Sequence, residues 1–250
     1  MKNKVCVITG GAGSIGLASA KLFLEQGAKV LLVDLNEETL ATAKKELAAA
    51  DRVDTIVADV SREEAVAAYC KKAVDRFGKI DVLFSNAGNV GVIAPLEDYP
   101  MDVFDAVYAV HVRGAMLAGK HGFPAMNDGG SFIINSSVAA WRSDPGSYAY
   151  VTMKQAQVGL MRCLASAGAK RKIRVNAIHP GPTQNEFQLG MERDLGRQTN
   201  SDVTAWLNTQ IPLGRHAEPE EIARCVLFLA SDQSSFVTGC SLRADGGLSL

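Results

Sequence analysis

Residues 9–16 read "TGGAGSIG", and what flanks this stretch decides the fold. It follows the apolar run "KVCVIT" (4–9) and opens the helix-like run "SIGLASAKLFLEQG" (14–27). Strand before and helix after is the setting in which glycines serve a phosphate site. Gly10 lets the backbone turn sharply, Gly16 lets the helix pack on the sheet, and the N–H groups of the first helical turn face the anion. Glycines also mark ordinary turns, so the next strand matters. "KVLLVD" (29–34) ends in Asp34, whose carboxylate can accept hydrogen bonds from a ribose diol and repels a 2′-phosphate. No Arg or Lys lies in the turn or just after Asp34, which favours NAD over NADP. The plainer reading of Asp34 is an N-cap for a helix beginning near Asn36.

Outward from this unit the same rhythm continues. Further strand-like runs are "VDTIVAD" (53–59), "IDVLFSN" (80–86), "GSFIINSS" (130–137), "IRVNAIH" (173–179) and "GCSLRAD" (239–245). They are nearly continuous in apolar residues, as strands covered on both faces must be. Helix-like runs such as "EETLATAKKELAAA" (37–50) separate them. The expectation is α/β: one Rossmann-type, doubly wound parallel sheet of about seven strands, with helices on both faces, in a single domain over 1–250. The least patterned stretch is about 183–212, "TQNEFQLGMERDLGRQTNSDVTAWLNTQIP". It follows the C-terminal edge of a strand, where ligands bind in such sheets, and is expected to form a substrate lid; the alternative is a surface excursion.

Composition narrows the partners. The 26 Lys and Arg nearly balance the 27 Asp and Glu, so neither nucleic acid nor an anionic membrane is called for. The apolar runs are short and broken, and "MKNKVCVITGG" lacks a signal core; a cytoplasmic protein without a membrane span is expected. The five cysteines are scattered with no CxxC, consistent with reduced thiols, and the four scattered histidines signal no metal site.

More motifs follow in order: "ADV" (58–60), "SNAG" (85–88), "INSS" (134–137), "YVTMK" (150–154), "HPGPT" (179–183), and the tail "GRHAEPEEIARCVLFLASDQSSFVTGCSLRADGG" (214–247). With the glycine turn they make the chain resemble the short-chain dehydrogenase/reductase family along nearly its whole length. One departure is Ser14 at the family's middle glycine, with Gly13 beside it. The resemblance implies a cofactor site. Gly10, Gly13, Ser14, Ile15 and Gly16 would line the phosphates, and Asp34 and Leu35 the adenosine ribose. Asp59 and Val60 would meet the adenine, and Asn86, Ala87 and Gly88 would support the sheet near the ribose. Backbone groups at Pro180 and Gly181 would hold the nicotinamide carboxamide. Thr183 stands early for the family's threonine, and Asn185 stands nearer the usual place.

The same resemblance points to Ser137, Tyr150 and Lys154 as the catalytic set. Residues four apart share a helix face. A free phenol has a pKa of about 10, and a nearby ammonium favours its ionised form. Tyr150 would then exchange a proton with the substrate oxygen, and Lys154 would also bind the nicotinamide ribose. Ser137, thirteen residues before Tyr150, would polarise that oxygen, while Ser136 should point to the other side of its strand. The plain alternative is a surface pair on a helix. His111, in "AVHVRGAML" (109–117), stands where the family usually has an asparagine that serves a proton relay. Either the imidazole keeps the relay, titrating near its ordinary value of about 6.5, or it is a packing change. Trp141, Arg142, Tyr148, Phe187 and Trp206 are candidate pocket walls, each also able to serve as plain packing.

The expected activity is hydride transfer between NAD(H) and a secondary alcohol or ketone, with Tyr150 as general acid/base. The alternative is an NAD(H)-binding family member with weak or lost turnover that acts through protein partners, favoured by His111 alone. Dehalogenation on the same scaffold is a third reading, opposed by the glycine turn and Lys154. Apolar candidate walls and few basic residues in 183–212 suggest an uncharged, cyclic or aromatic small-molecule substrate. Helices around 101–126 and 147–170 are apolar on more than one side, and the resemblance implies a homotetramer built on them and on the C-terminal segment.

Overall fold

Seven strands pair in parallel in one sheet: β1 (Val5–Thr9), β2 (Lys29–Asp34), β3 (Val53–Val57), β4 (Ile80–Ser85), β5 (Met126–Asn135), β6 (Arg174–Pro180) and β7 (Ser241–Ala244). This computed structural model describes residues 1–250, the side chain of Gln198 apart. The strand order is β3-β2-β1-β4-β5-β6-β7. Chain direction across the sheet therefore reverses between β1 and β4, and a crevice opens beyond their C-terminal ends, the usual ligand position in such sheets.

Alternation along each strand builds a core on each face. Val7, Leu31 and Leu83 pack with α3 (Glu63–Phe77), α5 (Gly114–Ala125) and α6 (Tyr148–Gly168) through Tyr69, Leu117 and Met161. Cys6, Ile8, Leu32 and Phe84 pack on the opposite face with α1 (Ser14–Glu25), α2 (Glu37–Leu47) and α9 (Pro219–Ala230) through Phe23, Leu40 and Val226. The strand β5 starts earlier than its apolar run, at Met126. Its pairing with β4 shifts register between Ile80 and Val82, which absorbs the polar "NDGG" segment.

Two features of the helical layer bear on the site. The helix α4 (Met101–Tyr108) runs into α5 through a single π turn, Ala109–Arg113, with His111 at its centre. The stretch 183–212, expected to lack regular pattern, contains two helices, α7 (Glu186–Thr199) and α8 (Val203–Gln210). Each starts on a side-chain cap: Asn185 accepts from the Gln188 N–H and Asp202 from the Ala205 N–H, both at 2.9 Å. Among the described residues no helix is long and apolar enough to cross a membrane.

Candidate active site

A cleft of about 840 Å³ extends from the β1–α1 turn, past the C-terminal ends of β4 and β5, to α7 and α8. At the first end the backbone forms the surface. Gly10 has φ +61°, and a Cβ there would lie 2.9 Å from the Ala87 Cα. A Cβ at Gly16 would fall 2.3 Å from the Gly10 carbonyl oxygen, so α1 can sit this close to the turn only without one. The N-cap of α1 is Gly13, which offers no capping side chain, and the first turn carries no acid. Gly13, Ser14 and Ile15 line the cleft, so uncapped N–H groups and the positive end of the helix open into it. These groups fit a bound phosphate.

Asp34 stands beside that turn. Its Oδ2 accepts from the Ala12 N–H at 3.0 Å and its Oδ1 from the Leu35 N–H at 2.8 Å. The cap of α2 is Asn36, which accepts from the Thr39 N–H at 3.0 Å, so Asp34 is not used as the helix cap. Leu35, Asp59 and Val60 line the cleft nearby. One Asp59 oxygen caps the following turn, accepting from the Ser61 N–H at 2.9 Å and hydroxyl at 2.7 Å. The lining lysine and arginine are Lys154 and Arg142, and neither is near Asp34 in sequence or on its strand. Two residues without an assigned role hold this end together. The Thr9 hydroxyl accepts from the N–H groups of Asn86 (3.0 Å) and Ala87 (3.1 Å). The Asn135 amide donates to Asn86 Oδ1 at 2.8 Å, while Asn86 Nδ2 donates to the carbonyls of Thr9 and Gly10, each at 3.0 Å. Polar residues closing β1 and β5, "T" before the glycines and "N" before the serines, were the available signal.

At the inner end, Ser137 caps a short 3₁₀ turn, Val138–Ala140, its hydroxyl accepting from the Ala139 N–H at 3.1 Å. Its carbonyl accepts from Nδ1 of the buried His179 at 3.0 Å, which fixes the backbone under the serine. Ser136 faces the other way and donates to the Lys154 carbonyl at 2.9 Å. Tyr150 and Lys154 share a face of α6, with Nζ 5.3 Å from the phenol ring centroid. Lys154 is 4% exposed and donates to the Asn135 carbonyl at 2.7 Å. Burial pushes its ammonium down to about 7. Burial also pushes the Tyr150 phenol up to about 12, against the neighbouring Ser137 hydroxyl, which favours ionisation. Desolvation, not Lys154, thus sets the direction of the phenol's shift, contrary to the expectation from spacing.

His111 is also placed differently from a titrating relay. It is 1% exposed, and its Nε2 lies 2.8 Å from the Asn89 carbonyl oxygen and 3.1 Å from the Asn89 nitrogen. The shorter contact suits an Nε2–H donor, leaving Nδ1 buried as an acceptor without a partner among the described residues. Burial and the nearby Lys154 push the imidazole down to about 3, so it is neutral at neutral pH and does not titrate near 6.5. The ring stands edge-on to Tyr150 at 5.7 Å. The carbonyl of His111, freed by the π turn, accepts from Gln157 Nε2 on α6 at 3.0 Å.

The substrate walls divide. Phe187 on α7, 6.4 Å from Tyr150 between ring centroids, and Trp206 on α8 line the cleft. Tyr148 does not: residues two apart on a helix point to nearly opposite sides, and it packs edge-on against Tyr99 at 5.4 Å instead. Trp141 also stands outside, exposed, against His179 at 5.8 Å and beneath the Arg243 guanidinium at 5.7 Å. Pro180, Gly181 and Thr183 line the middle. A Cβ at Gly181 would meet the Asp245 Cα at 2.7 Å, and the buried Thr183 hydroxyl donates to the Gly181 carbonyl at 3.0 Å. Asn185 is spent as the cap of α7.

Beneath α7 and α8 lies a buried polar cluster that sequence reasoning missed. Glu192 Oε1 is 2.7 Å from both His216 Nε2 and Gln188 Nε2, and its Oε2 accepts from the Thr204 hydroxyl. His216 Nδ1 lies 2.7 Å from Asn208 Oδ1. The cluster joins α7, α8 and the loop before α9.

Comparison with known proteins adds to this geometry. A profile for the family described as enoyl-(acyl carrier protein) reductase matches residues 10–249. The 3beta-hydroxysteroid dehydrogenase 2 of Eggerthella lenta is 36% identical over 253 residues, covering 100% of this chain and 96% of that protein. The crystal structure of levodione reductase superposes with a TM-score of 0.95 at 34% identity, covering 100% of this chain and 98% of that one. That of NAD⁺-bound xylitol dehydrogenase gives 0.92 at 35% identity, covering 98% and 99%.

Proposed function

Since this chain belongs to the short-chain dehydrogenase/reductase family, we propose that it is an NAD-dependent oxidoreductase acting on a secondary alcohol or its ketone. One observation carries the reading: Ser137, Tyr150 and Lys154 meet in the same cleft as the uncapped N-terminus of α1. The names of the relatives, a hydroxysteroid dehydrogenase and a xylitol dehydrogenase among them, support the alcohol class.

A nicotinamide dinucleotide would be held by Gly13, Ser14, Ile15, Asp34, Asp59 and the Pro180–Thr183 segment, and would supply the hydride acceptor or donor. The rest falls to this chain. The Ser137 hydroxyl, fixed through its own backbone by His179, holds the substrate oxygen. Tyr150 takes the proton from that oxygen in oxidation and returns it in reduction. A phenol pushed up to about 12 is a poor base at neutral pH, so the reading assigns Lys154 the task of stabilising the phenolate as it forms. A lysine held down to about 7 by burial gains a proton readily when a negative phenolate appears beside it. Asp34, with no lysine or arginine in the glycine turn or just after it in the sequence, favours the ribose diol of NAD over a 2′-phosphate.

The test is NADH absorbance with a panel of secondary alcohols and ketones. Turnover that needs Tyr150 is the expected result; turnover of none, with NADH bound, would overturn the reading. We also propose a homotetramer, supported by exposed Met101 and Tyr108 on α4 and Met116 on α5. Light scattering at micromolar concentration checks it, and a monomer contradicts it.

A further inference from the structure

Arg142 is partly buried, lines the cleft five residues beyond Ser137, and forms no hydrogen bond or ion pair among the described residues. No other arginine is in this state. Ten others donate to a carbonyl, hydroxyl or carboxylate, and Arg162 and Arg224 are exposed. The acids of the lining do not neutralise it. Asp34 and Asp59 belong to the β2 and β3 end, bound to backbone N–H groups. Both Glu192 oxygens are taken by the cluster under α7 and α8. Asp144 is exposed and does not pair with Arg142.

The lining of the same cleft also includes the apolar residues Ile93, Val138, Phe187, Met191 and Trp206. An arginine that lines a cleft without a partner leaves its donors open to an anion that enters. Its planar fork suits a carboxylate taken by two parallel hydrogen bonds. Resting on the oxidoreductase reading above, we infer that Arg142 is a specificity-determining residue and that the substrate is a hydroxy or keto acid whose carboxylate it holds. This replaces the expectation of an uncharged substrate, which counted basic residues in the 183–212 segment and not in the loop after Ser137.

The test uses the dead-end complex with NAD⁺, to which a ketone binds without reacting. An open-chain and a ring keto acid are each compared with their own methyl ester by calorimetry. The expected result is at least a tenfold tighter Kd for the acid in one pair or both. Arg142→Gln should abolish that difference and Arg142→Lys should retain part of it. No preference for the acid in either pair, or a preference that survives Arg142→Gln, overturns the inference. The two readings fail separately. Acids that bind selectively but never turn over with NADH remove the catalytic reading and leave this one. Turnover of esters and acids alike does the reverse.

Discussion

The two ends of the cleft are built by different means. At the β1–α1 end the surface is backbone. Two backbone contacts of 2.9 Å or less, from Gly10 and Gly16, permit no Cβ, and Thr9 and Asn86 tie the strand ends by bonds to main-chain groups. At the α7–α8 end the surface is carried by side chains far apart in sequence, with Glu192 and His216 at its centre, 24 positions apart. Backbone geometry tolerates few residue types, so it leaves a motif. A side-chain cluster can be assembled from many residue sets, so it leaves none. The first end suits a ligand common to many proteins, and the second suits one particular to this chain.

Breaking the cluster should have the largest effect and should stay local. Glu192→Ala removes the acceptor shared by His216, Gln188 and Thr204, at a cost of about 3 kcal/mol. Hydrogen exchange should accelerate across 186–210 while NADH affinity stays within about twofold. A uniform acceleration over β1–β6 would mean the two ends are one unit. Next comes Tyr150→Phe, which keeps the ring against His111 and Phe187. It should lower kcat by a factor on the order of 10² or more, about 2.7 kcal/mol, with NADH binding nearly intact. Wild-type turnover in this variant would end the catalytic assignment.

Asp34→Ala probes the first end alone. It should erase an NAD preference of about tenfold, or about 1.4 kcal/mol, and weaken binding through the lost Ala12 contact. A comparison of kcat/KM for NAD and NADP decides it, and equal values in the wild type already contradict it. The smallest effect belongs to His111. Its folded pKa lies below its unfolded value, so between about 3 and 6.5 the unfolded chain binds the extra proton and stability falls as pH falls. His111→Asn should remove this slope, a difference of roughly 0.8 kcal/mol near pH 6. Denaturant melts of both proteins from pH 7 to 6 measure it, and parallel curves would place the imidazole outside the pH response.

The same contrast explains what was legible in the chain. The strand runs and the parallel sheet followed from apolar continuity, and the glycine turn, Asp34 and the Tyr150/Lys154 pair were visible as motifs that the fold brings to one cleft. Asn185 and Asp202 were helix caps in plain view, but "EFQLGMERDLGRQT" is too polar for its apolar face to stand out. Tyr148 and Trp141 were misplaced because proximity in sequence to Tyr150 and Ser137 does not decide which way a side chain faces. His179 and Gln157 act on carbonyls of residues 42 and 46 positions away, pairings that no local pattern marks.

The contact between positions 88 and 111 has a consequence for how this chain can change over generations. A Cβ at Gly88 would lie 2.7 Å from Cε1 of His111, so the ring occupies the room an alanine would need. While histidine stays at 111, glycine at 88 is locked; a smaller residue at 111 releases it. Substitutions here have a permitted order, with 111 first and 88 second, and the reverse path passes through a damaged intermediate. A double-mutant cycle of His111→Asn and Gly88→Ala reads that order as a coupling free energy.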